Sequence, residues 1–262
     1  LDILNLLSPV EFKIFLLILI RISIVLFLFP LIGGKILPPM VKAGLSLIMA
    51  FVLFPVVSVD PAVFPDNALD TLILIFCEFF IGMALALAVH VLFAAAQLAG
   101  QLVGVQMGFA MITMLDPQSG ENLSIMDQIG YWVASLLFLT LNGHHVLITT
   151  LVDSFSIVKS GMIQFKAGLL EQMIVMTAHI FALSIKIGAP AIAALLFTST
   201  AFGVTAKFVP QMNILIVAFP LKIFVGLIFF GISLQILATF APAYIVWLQA
   251  MMKAMLRMMA VT

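Results

Sequence analysis

Charge is what this sequence has least of: Asp, Glu, Lys and Arg together make up 8% of its 262 residues, against roughly 25% in a soluble domain. That shortage excludes an ordinary water-soluble globular protein and places the chain in lipid, in a large apolar assembly, or in both. The single cysteine, Cys77, excludes an intrachain disulfide, and inside an apolar run it reads as a small buried hydrophobe. No basic block is dense enough to hold nucleic acid. There is no P-loop, no dinucleotide-binding glycine fingerprint and no serine in a nucleophile elbow. The expectation is therefore no enzyme, no catalytic residue, no cofactor and no metal. Adjacent His144 and His145 point about 100° apart on a helix, unlike the i, i+4 pair that grips one ion. Asp116, Glu121 and Asp127, the only clustered acids, surround a turn and read as loop-shaping.

What is present in abundance is apolar: 65% of the residues, with 24 Phe and 16 Met. Methionine suits irregular interfaces because its side chain is flexible and polarisable. Net charge is zero but segregated, with nine acids and four bases in residues 1–130 and two acids and seven bases in 131–262. The first residues lack the basic leader and small-residue cleavage site of a signal peptide. Targeting is expected to come from the first hydrophobic segment.

A bilayer span needs ~20 mostly apolar residues as helix. Candidates are 12–32, 43–59, 71–96, 128–150, 172–197 and 213–240, with a shorter Met-rich helix over 243–259. Breaks are expected at Gly33-Gly34-Lys35, at 60–66, at 116–121, at 159–171 and at 203–210. Six regular spans, however, break the positive-inside rule twice. Lys35 and Lys42 place the first loop in the cytoplasm, after which Lys159, Lys166, Lys253 and Arg257 all fall outside. Pro210 and Pro220 also bracket nine residues, which as helix cover only about 14 Å. Both misfits point to an all-α chain of hydrophobic, membrane-associated helical hairpins packed on partner proteins.

Residues 79–115 contain no Asp, Glu, Lys or Arg. Within them Ala96, Gly100, Gly104 and Gly108 recur every fourth position, a flat strip on which another helix can approach closely. Gln97, Gln101 and Gln106 accompany the strip and need protein or water as neighbours. Arg21, Glu78, His90, His179, Lys186 and Lys222 interrupt apolar runs. They read either as an ion path or as pairs fixing helix register between subunits.

Three strings stand in order along the chain. They are Gly104-Val-Gln106-Met107-Gly108-Phe109-Ala-Met111 with Asp116-Pro117-Gln-Ser-Gly120; Phe138-Leu-Thr-Leu-Asn142-Gly143-His144-His145-Val-Leu-Ile148; and Val209-Pro210-Gln211-Met-Asn213-Ile214 with Pro220-Leu-Lys222-Ile223. Together they closely resemble the FliR family of flagellar biosynthesis proteins, the R subunit of the flagellar type III export gate. The T subunit of virulence injectisome gates is a more distant relative. The resemblance implies a P-subunit-like helical part over 1–170 and a Q-subunit-like hairpin with a C-terminal helix over 171–262. It implies P-type and Q-type gate subunits as hetero-oligomeric partners, together with a B-type switch subunit and an A-type export subunit. Unfolded secreted proteins would pass in transit, membrane lipid would be a further neighbour, and no nucleic acid takes part. The place implied is the bacterial inner membrane, multi-pass, within the flagellar basal body. The family carries a plug that maps to about 106–121. Here Met107, Phe109, Met111 and Met114 are bulky and apolar, and Gly108 and Gly120 let the backbone reshape.

Two other classes compete. A small-solute secondary transporter would use Glu78, His90 and Lys186 as coupling groups, but no inverted repeat is visible. An intramembrane enzyme lacks a nucleophile or a metal set.

Overall fold

The computed structural model describes residues 8–33, 37–57, 59, 67–109, 125–161, 163–164, 166–209, 211 and 213–260. Among them every element is helical: α1 Pro9–Leu28, α2 Pro30–Gly33, α3 Pro39–Leu53, α4 Ala68–Met107, α5 Ile125–Thr140, α6 Gly143–Ile157, α7 Ala167–Phe208 and α8 Ile214–Met259.

Local chemistry sets the boundaries. Ser8 caps α1 by accepting a hydrogen bond from the Glu11 backbone N–H at 3.2 Å, with Pro9 at the first helical position. Phe29 turns extended ahead of Pro30, so the expected span 12–32 is instead α1 plus one short turn. The segment expected over 43–59 is α3, whose 15 residues cover about 22 Å and fall short of a bilayer. α4 runs on through the small-residue strip to 40 residues. The expected span 128–150 is two helices, because Asn142 takes the left-handed conformation (φ 57°, ψ 28°) between them. The last two expected segments fuse into α8, 46 residues that pass through Pro220 and Pro242. Each proline costs one backbone hydrogen bond, and the helix continues around it. By length and composition α4, α7 and α8 can each cross a membrane, and α5 with α6 would make a fourth span.

The chain divides into two compact units, to which α4, α7 and α8 each contribute segments. The first comprises residues 1–90, 142–176 and 245–262. Here α1 packs along α3, with the Phe15 and Phe54 rings 6.2 Å apart, edge to face. Gly82 of α4 lies against α1, leaving a Cβ only 2.7 Å from Ile24 Cγ2. The start of α7 is tied to the end of α8. Gln164 N–H donates to Met259 O at 3.0 Å, Lys166 Nζ to Ala260 O at 3.2 Å, and Gln172 Nε2 meets Met251 Sδ at 2.7 Å. At the surface Lys253 Nζ pairs with Asp153 Oδ2 at 2.9 Å.

The second unit comprises residues 91–141 and 177–244. Its core joins Val103 and Met107 of α4, Met126 of α5, Ala191 and Leu195 of α7 and Phe230 of α8. The Phe93 ring lies 5.4 Å from that of Phe138 and 5.8 Å from that of Tyr131, tilted against both.

Candidate functional site

Ala96 and Gly100, at the start of the small-residue strip, meet α5 inside the second unit. A Cβ on Gly100 would run into the Met126 carbonyl oxygen and stand 2.7 Å from Asp127 Cα. One on Gly130 would lie 2.6 Å from Ala96 O. Thus α4 and α5 touch backbone to backbone, through Ala96 and Gly100 on one side and Gly130 on the other. Gly104, on the same strip, is also buried. Asp127 belongs to the first turn of α5 and is buried there. It favours that helix end by its charge, where the sequence had suggested a turn. Gln97 and Gln106 are partly buried and Gln101 is exposed.

The strip ends at the first residues of the candidate plug. Gly108 takes φ +97°. The Gly108 N–H donates to Val105 O and the Phe109 N–H to Gly104 O, both at 3.1 Å. This is the double closure of a left-handed helix stop. A side chain at 108 would be strained by that φ and would also strike the Phe219 ring. Met107 is fully buried, its Cγ, Sδ and Cε laid over Gly226 of α8 at 2.6–2.9 Å from a notional Cβ. Phe109 is partly buried against the same core. Met111, Met114, Asp116, Pro117 and Gly120 lie outside the described residues, as does Pro210. Phe219 and Gly226, the α8 partners of the plug's root, were missed in the sequence. A lone glycine amid bulky residues was the only available sign of Gly226.

The Asn142-Gly143-His144-His145 string forms the corner at which α6 begins. The Asn142 carbonyl accepts from His145 N–H at 3.0 Å and from Val146 N–H at 3.2 Å. Asparagine tolerates the left-handed conformation better than most residues, which accounts for its use here. The His144 and His145 rings lie 4.3 Å apart, edge to face. Among the described residues no group of His, Cys, Asp or Glu is arranged to hold a metal ion. Asn213 O accepts from Ile216 N–H at 3.2 Å in the first turn of α8. Gln211 and Pro220 are exposed, and Lys222 is partly buried.

Several polar groups in the apolar helices find partners within the chain, where the sequence had suggested either an ion path or pairs between subunits. Arg21 Nε and Nη2 grip Glu78 Oε2 and Oε1 at 2.5 and 2.9 Å, and Nη1 donates to Ser154 Oγ at 3.0 Å. Ser154 passes its own proton to Leu151 O at 2.6 Å, and the guanidinium lies 4.0 Å over the Phe155 ring. His90 Nε2 lies 2.6 Å from Leu28 O, a carbonyl that the end of α1 leaves without a helical donor. The Lys42 ammonium sits 5.9 Å over the Phe27 ring.

Comparison with known proteins adds kinship to this geometry. The family model described as bacterial export proteins, family 1, matches residues 12–258. The chain is 30% identical over 229 residues to the flagellar biosynthetic protein FliR of Bacillus subtilis, covering 86% of this chain and 88% of that one. It is 30% identical over 222 residues to FliR of Escherichia coli K12, at 85% and 84% coverage. With FliR of Aquifex aeolicus it shares 28% identity over 217 residues, 83% of each chain.

Proposed function

Because the chain belongs to the bacterial export proteins of family 1, the family of flagellar FliR, we propose that it is a core component of the flagellar type III protein export gate. In this reading it helps to line and close the pore through which unfolded flagellar subunits leave the cell. The observation that carries it is the family match over 12–258. The flagellar names of its relatives favour the flagellar branch over an injectisome.

In the same reading the chain divides into a P-like part, 1–170, and a Q-like part, 171–262. α7 and α8 supply the Q-like hairpin, joined by residues 209–213. Partners are P-type and Q-type subunits, with the B-type switch and A-type export subunits nearby, at the bacterial inner membrane. Its exposed apolar side chains, including Phe197, Phe208, Phe224 and Ile228, suit burial against such partners.

The plug over 106–121 would be a ring of Met and Phe that excludes water and ions when no polypeptide is threaded. Its first residues, Met107 to Phe109, are built into the core of the second unit. A small-solute carrier fits less well, since Glu78 is locked to Arg21 and His90 to Leu28. Neither is a free coupling group.

The test is a variant lacking residues 110–117, which spares Met107 and the helix stop. The complex should purify as a large hetero-oligomer, while cells carrying it leak small ions. A deletion as tight as the wild type would overturn the plug. A solitary chain on purification would overturn the gate.

A further inference from the structure

Between Glu171 and Lys207 the only Asp, Glu, Lys or Arg is Lys186. At ~1.5 Å per residue it stands roughly 22 Å along α7 from the first and about 31 Å from the second. A lysine stem cannot snorkel across such a distance to reach either polar end. The stripe of α7 that faces its own unit is Ser184, Ile187, Gly188, Ala191 and Leu195, all buried. Gly188 there lies near Ala99 O of α4, 3.8 Å from a notional Cβ. Lys186 falls on the other face, exposed, in a row with Ala182, Ala189 and Ala193. Among the described residues no hydrogen bond or ion pair engages its ammonium.

The hydroxyl groups of α7 from Ser184 onward are dealt with locally. Ser184, Thr198, Ser199, Thr200 and Thr205 return their hydroxyl protons to carbonyls three or four residues back, at 2.7–2.9 Å. An ammonium has three donors and a full charge, which one shared backbone carbonyl does not satisfy. The backbone adds a second polar point at the same place. Pro190 lies inside α7 and has no N–H for the carbonyl four residues earlier, which is that of Lys186. Small alanines on both sides leave room for a helix to come close.

We infer that in the assembled gate this face of α7 is covered by an apolar helix of a neighbouring subunit carrying a buried Asp or Glu that pairs with Lys186. The inference rests on the gate reading above. Lipid is the competing occupant, and charge separates the two. A carboxylate partner makes the lysine necessary, whereas against hydrocarbon the same lysine is a burden.

The experiment uses the whole complex, pulled from membranes through a tag on this chain, with Lys186→Arg, Lys186→Met and Lys186→Glu. Pairing predicts wild-type recovery for Arg, a loss of threefold or more for Met, and near-complete loss for Glu. Recovery of the Met variant at or above the wild-type level overturns the inference and assigns the face to lipid. Should the Met chain itself fail to accumulate, carbodiimide coupling of the wild-type complex decides. A Lys186 isopeptide to an Asp or Glu of another polypeptide supports the pair. No link, or a link within this chain, overturns it. A wild-type chain that purifies alone removes the gate reading as well, so the two failures are distinguishable.

Discussion

Arg21 and Glu78, 57 residues apart, form a two-pronged ion pair with neither side chain reached by solvent. Ser154 and Phe155 complete the cage around the guanidinium. α1, α4 and α6 are thereby held in one register.

Glu78→Gln leaves the guanidinium buried without its counter-ion, at an expected cost of about 3–5 kcal/mol. The double change Arg21→Met with Glu78→Leu removes both charges together and should lie much nearer the wild type. Thermal unfolding of the detergent-solubilised complex reads the difference. A single variant as stable as the parent would mean that the pair contributes nothing.

Two glycines should respond to alanine with opposite signs. Gly100→Ala pushes a methyl into the α5 backbone, and overpacking of this kind costs roughly 1–3 kcal/mol. Gly44 of α3 has nothing within 4 Å of its notional Cβ. Gly44→Ala should therefore stabilise, by up to about 1 kcal/mol, through helix propensity alone. Equal shifts in the melting midpoint would remove the strip as a close-packing face.

Met107 and Gly226 should be coupled. Met107→Ala opens a core cavity, with an expected loss of ~2–5 kcal/mol. Gly226→Ala meets Met107 at Cγ, which a change of rotamer near the tip cannot relieve. In the double variant the new methyl occupies part of the vacated space, so the two losses should not add. Additive losses in a double-mutant cycle would contradict this contact.

Helices were legible where periodicity and composition spoke for themselves. The small-residue spacing and the existence of apolar helices at α4, α7 and α8 are readable from residue order, because spacing and apolar composition are local quantities. Their full lengths and the Ser8-Pro9 start of α1 were not read there. The split between segments 213–240 and 243–259 misled. α8 continues through Pro220 and Pro242, because side-chain packing outweighs a missing hydrogen bond. Asn142 misled in the other direction, since only its backbone dihedrals reveal a corner within an apolar run.

By itself, residue order determined that this chain is helical, lipid-compatible and of the flagellar export family. Those conclusions need only composition, spacing and kinship. Tertiary structure alone decided which polar groups meet: Arg21 with Glu78 and Ser154, His90 with the Leu28 carbonyl, and Lys186, among the described residues, with none. It also set Met107 on Gly226 and Gly108 beneath Phe219. The reason is physical. A buried charge or a notch for a methionine depends on atoms brought together from distant parts of the chain, and sequence spacing carries no measure of that distance.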